Sequence, residues 1–113
     1  MTKIRYSMKK LTMSARGHTG DGPHGQNIVC ASVSVLTQAL LNALTEEEEK
    51  QNIMMNWDMA PGVINIEVLH AKNWHCRNTA KAYFRMAVIG LKAIAQNYEG
   101  QINIEEAEDD GNS

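Results

Sequence analysis

The sequence predicts an α+β fold in two layers, ββαββαβ: a mostly antiparallel five-stranded sheet with two helices packed on it. Three observations predict it. Short segments of alternating apolar and polar residues come in pairs, and two longer segments carry apolar residues at helical spacing. Each helical segment has one apolar stripe, so the two together can cover one face of one sheet.

The elements follow in chain order. Ile4, Tyr6 and Met8 alternate with Lys3, Arg5 and Ser7, which predicts a half-buried strand. Leu11, Met13 and Ala15 repeat the alternation, so the first fifteen residues form a hairpin turning near Lys9-Lys10, without an Asn-Gly or Asp-Gly to mark the turn. Residues 16–27 contain Gly17, Gly20, Gly22 and Gly25, half of the chain's eight glycines, together with Pro23. A segment so rich in glycine is suited to a lid rather than a core. From Ile28 to about Leu44, the residues Val29, Val33, Leu36, Leu40 and Leu44 form one stripe, with Asn27 as the expected N-cap. The acidic run Glu46–Glu49 is expected to end that helix in a solvated turn.

A second hairpin follows: Ile53, Met55 and Trp57 alternate, as do Ile64, Ile66 and Val68, with Pro61-Gly62 between them. A second helix is predicted from about Asn78 to Asn97, with a stripe of Ala80, Phe84, Ala87, Leu91, Ile94 and Tyr98 and a stop at Gly100. Ile102 and Ile104 make a last short strand. Residues 1–104 are thus expected to be a single domain, and 105–113 an acidic tail with too little apolar surface to order itself.

At 113 residues the chain has room for one core. Hydrophobic residues make up 43% and charged residues 21%, a globular composition, and the net charge of −2 gives no electrostatic basis for gripping nucleic acid or an anionic membrane. No run approaches the length needed to span a bilayer, and the basic start alternates like a strand rather than leading into a signal peptide. Two cysteines, Cys30 and Cys76, do not make a secreted disulfide framework, so a thiol protein of the cytoplasm is expected. The seven methionines are read as core packing.

One segment carries chemistry. His18 lies on the glycine-rich stretch, and Cys30 stands twelve residues later, at the expected third helical position. First-turn amides and the helix dipole would stabilise a thiolate there and could hold a developing oxyanion. A neutral imidazole can take the thiol proton and return it to a leaving amine. Ser34, one turn after Cys30, could donate to the sulfur, and Thr37 shares that face. Plainer readings stand beside these: Cys30 as a buried structural thiol, His18 and His24 as solvent-facing, Ser34 as a surface residue. His18, His24 and Cys30, with His70, His75 and Cys76, are also soft metal ligands, but no zinc-knuckle spacing is present. No metal or other cofactor is therefore expected, and Cys76 is read as structural.

Gly17-His18-Thr19-Gly20 followed by Ile28-Val29-Cys30-Ala31-Ser32-Val33-Ser34 resembles the signature of the ribosomal-processing cysteine protease family, Prp. Val88 to Ala95 and Tyr98 resemble the family's second helix more weakly. The resemblance implies a small α+β homodimer in which Cys30 is the nucleophile and His18 the general base, with Gly17 and Ser34 at supporting positions. It also implies a substrate: the N-terminal extension of a large-subunit ribosomal protein, or phage virion proteins with similar processing sequences. The family usually has Asp immediately before Ile-Val-Cys. Here Asn27 stands in its place, able to cap a helix but without charge to hold an imidazolium. Two rivals remain at this point: a non-catalytic module that binds a peptide or ribosomal protein in the same cleft, and a redox or metal sensor using Cys30.

Overall fold

The computed structural model describes residues 1–17 and 24–107, with the side chains of 24–27 left out. Its elements are β1 (Thr2–Ser7), β2 (Thr12–Arg16), α1 (His24–Glu49), β3 (Ile53–Ala60), β4 (Val63–Ala71), α2 (Trp74–Asn97) and β5 (Ile102–Glu106). The strands form one sheet in the order β3-β4-β2-β1-β5. All pairs are antiparallel except β1 with β5. The predicted order and class are those observed.

One face of the sheet is the core. Ile4, Met13, Ala15, Ile53, Met55, Ile64, Ile66 and Val68 are buried there with Val29, Val33, Leu40 and Leu44 of α1 and Ala80, Phe84, Ala87 and Leu91 of α2. The opposite face is polar: Arg5 pairs with Glu105 across β1 and β5 at 2.9 Å, and Asn65 donates to Asp58 across β4 and β3 at 2.9 Å. A sheet covered on one side only needs this alternation.

The first hairpin turns without glycine. Leu11 takes the left-handed conformation at φ 55, a cost offset by complete burial of its side chain, and its carbonyl accepts from Val68 N–H at 3.0 Å. In the second hairpin Pro61 presets the turn and Gly62 supplies φ 78.

Four expectations are corrected. Helix α1 begins at His24, not after Asn27. Asn27 is therefore the fourth helical residue rather than the N-cap. Glu46–Glu49 are not a solvated turn but the end of α1. Glu47 is buried, accepts from Asn52 Nδ2 at 3.0 Å and lies 3.6 Å from Lys50 Nζ, while Glu48 accepts from Met55 N–H at 3.1 Å. The helix closes with Gln51 at φ 64, Gln51 N–H on Glu48 O and Asn52 N–H on Glu47 O, a Schellman arrangement with glutamine where glycine is usual. Glu105 and Glu106 belong to β5, drawn in by pairing with Arg5 and Tyr6; the rest of the expected tail from residue 108 lies outside the described residues. Finally, Met1, Met54, Met59 and Met86 are more than half exposed and do not serve the core.

Within Ile28–Glu49 of α1 an 18-residue stretch has a mean hydropathy of 1.7 and meets the length and composition of a membrane span, contrary to the expectation that no run approaches that length. Ser32, Ser34, Thr37 and Gln38 break the run without lowering its average enough. Its most regular apolar stripe packs against the sheet and α2, as the core helix of a two-layer fold requires.

Candidate active site

At one end of the sheet the start of β1, the end of β2 and the β3–β4 turn lie side by side. Ala15 pairs with Ile64, and Ile64 with Met59, so these three residues form a row on the core face. The small Ala15 and Gly17 leave room above that row, and the first half of α1 walls it. The result is an open cavity of about 430 Å³. Its floor is Ala15, Ile64 and Met59; its helix wall is Cys30, Val33, Ser34, Thr37 and Gln38; Thr2, Gly17 and Gly62 close one side.

Cys30 is half-buried in this wall. Ser34, one turn along, is exposed and lines the same cavity, as the shared face predicts. The Thr37 hydroxyl is spent on its own helix, donating to Val33 O at 2.9 Å. Gly17 lines the cavity too, and its N–H donates to Gly62 O at 2.9 Å, tying the end of β2 to the hairpin turn. The side chains of His18, His24 and Asn27 lie outside the described residues.

The position of Cys30 in α1 differs from the expected one. With the helix starting at His24, Cys30 is its seventh residue. There the helical hydrogen-bond pattern consumes its N–H, so first-turn amides are not beside the sulfur. The geometry expected of Cys30 occurs at Cys76 instead. Asn73 caps α2, its side chain accepts from Cys76 N–H at 2.8 Å, and Cys76 is the third helical residue. Cys76 is buried and does not line the cavity, so it remains the structural thiol the sequence suggested. Among the described residues no group of three His, Cys, Asp or Glu side chains could hold a metal ion.

Thr2, Arg16 and Met59 are cavity residues that the sequence reading missed. Thr2 carried a signal: it occupies the inward register of Ile4 and Tyr6, yet it is polar. Its Oγ1 lies 3.9 Å from Cys30 Sγ. Met59 faces the core side of β3 but stays half exposed beside the cavity.

The family model for cysteine protease Prp matches residues 1–103. The chain belongs to the Prp family. Membership makes it a cysteine protease. Among solved structures, the essential ribosomal processing protease Prp from S. aureus in complex with a substrate peptide superposes with a TM-score of 0.74 at 18% identity, covering 95% of this chain and 100% of that one. The same S. aureus protease with a covalently linked product peptide gives 0.69 at 19% identity, covering 94% and 97%. SMU.848 from Streptococcus mutans gives 0.66 at 23% identity, covering 93% and 90%. These likenesses establish the fold. No curated protein matches the chain in sequence.

Proposed function

We propose that this Prp-family protease is a cytoplasmic endopeptidase that removes the N-terminal extension of a large-subunit ribosomal protein, or trims a phage virion protein with a similar processing sequence. Cys30 is the nucleophile and His18 the general base. One observation carries the reading: Cys30, Ser34 and Gly17 line a single open cavity, and Gly17 is the residue bonded to His18. Ribosomal processing is the stated role of the S. aureus protease that shares the fold.

In the reaction His18 takes the thiol proton and Cys30 sulfur attacks the scissile carbonyl. The proton then passes to the leaving amine, and water, deprotonated by the same imidazole, releases the acyl group and regenerates the thiol. Met59, Ile64, Val33 and Ala15 offer an apolar bed for a substrate side chain. The protein works without metal or other cofactor, and does not bind nucleic acid or membrane. It acts as a homodimer, for which the exposed Val35 of α1 and Met86 and Ile89 of α2 supply apolar surface.

The test is incubation with an extended ribosomal-protein precursor and, separately, a virion protein, each read by intact mass. A single new N-terminus in one of them is expected; both substrates remaining whole defeats the substrate assignment. Light scattering on the same preparation should return twice the mass of one chain, and the mass of a single chain would remove the dimer.

A further inference from the structure

We propose that Thr2 is a positioning residue for the reactive sulfur: its hydroxyl, fixed by β1 and by the missing side chain of Gly17, donates to Cys30 Sγ and steadies it as a thiolate. This rests on the reading of Cys30 as the nucleophile.

Thr2 is 4% exposed, and a buried hydroxyl needs a polar neighbour. The Cys30 sulfur is that neighbour, at 3.9 Å. In the thiol form either atom can donate. Once the sulfur is deprotonated it has only lone pairs, so the hydroxyl becomes the donor, and a charged acceptor strengthens the contact.

The placement of Thr2 is rigid. Its N–H donates to Gln101 O at 3.1 Å, and it pairs with Ile102 of β5. From the other side Gly17 presses against it: a Cβ at Gly17 would lie 2.9 Å from both Thr2 Cα and Oγ1. Backbone cannot yield at that distance as a flexible side chain can, so glycine at 17 is what lets Thr2 sit beside the sulfur.

The alternatives within the cavity are weaker. Cys30 is too far along α1 for first-turn amides to help it. Among the described lining residues, Ser34, Gln38 and Arg16 are exposed, and the Thr37 hydroxyl already donates to Val33 O. Arg16 is the charged one among them and faces solvent.

The experiment uses the full chain with a C-terminal tag, leaving β1 untouched, and the variants Thr2→Val, Thr2→Ala and Thr2→Ser. Iodoacetamide alkylation of Cys30 is followed against pH by peptide mass, and kcat and KM are measured on a cleaved peptide. In Thr2→Val and Thr2→Ala the alkylation curve should move to higher pH and kcat should fall roughly tenfold with KM unchanged. Thr2→Ser should restore both. Ser and Ala lose the same methyl, so their difference isolates the hydroxyl even if Val perturbs folding. An unmoved alkylation curve in Thr2→Ala, or a Thr2→Ser as impaired as Thr2→Ala, overturns the proposal. A Cys30→Ala protein that still cuts would instead remove the nucleophile reading, so the two failures are distinguishable.

Discussion

With Cys30 as the proposed nucleophile, Cys30→Ala should lose peptide cleavage by at least about a thousandfold while keeping its fold, because the acyl intermediate forms on its sulfur. Cys30 is only half-buried and lines an open cavity, so trimming its sulfur leaves no closed void and should cost little stability. Circular dichroism and thermal unfolding close to wild type, beside absent product by mass, is the expected pair of results. Cys76→Ala provides the contrast. That thiol is buried and outside the cavity, so its loss should affect stability more than turnover. Undiminished cutting by Cys30→Ala would assign the nucleophile elsewhere.

The largest stability effect is expected at Phe84, the bulkiest of the fully buried side chains and the chain's one phenylalanine. It lies in the middle of α2, in the cluster that joins both helices to the sheet. Phe84→Ala should cost about 3–5 kcal/mol through lost burial and the cavity left behind. For a chain of this size that is a large part of a total of roughly 5–15 kcal/mol, and the melting temperature should fall on the order of 20 °C. Lys92, two turns on in the same helix, is exposed, and Lys92→Ala should change stability by less than about 0.5 kcal/mol. Equal losses at the two positions by denaturant unfolding would mean that α2 packs by another face.

Much of the fold was legible because period alone encodes which side of an element is buried. Val29, Val33, Leu40 and Leu44 were marked by helical spacing, and Ile64, Ile66 and Val68 by alternation; all are buried as marked. Element ends were less legible, since they depend on local competition. Gly25 disguised the true start of α1, which moved Cys30 from the first turn to the seventh helical position. The acidic run hid a helix end whose carboxylates find partners in Asn52 and Met55, residues beyond the helix. Leu11 gave no sign of a turn because its unfavourable backbone is offset by burial that only the packed sheet provides.

The amino-acid sequence by itself determined the two-layer class, the family signature around Cys30 and the shared helix face of Cys30, Ser34 and Thr37, because these depend on residue type and short-range spacing. Only the tertiary structure decided what stands opposite the sulfur. Thr2 and Met59 reach the cavity through strand register across the sheet, and Gly17 matters there because its missing Cβ lets β1 approach. Contacts between positions 2 and 30 depend on how strands and helix stack, and no local pattern along the chain records that distance.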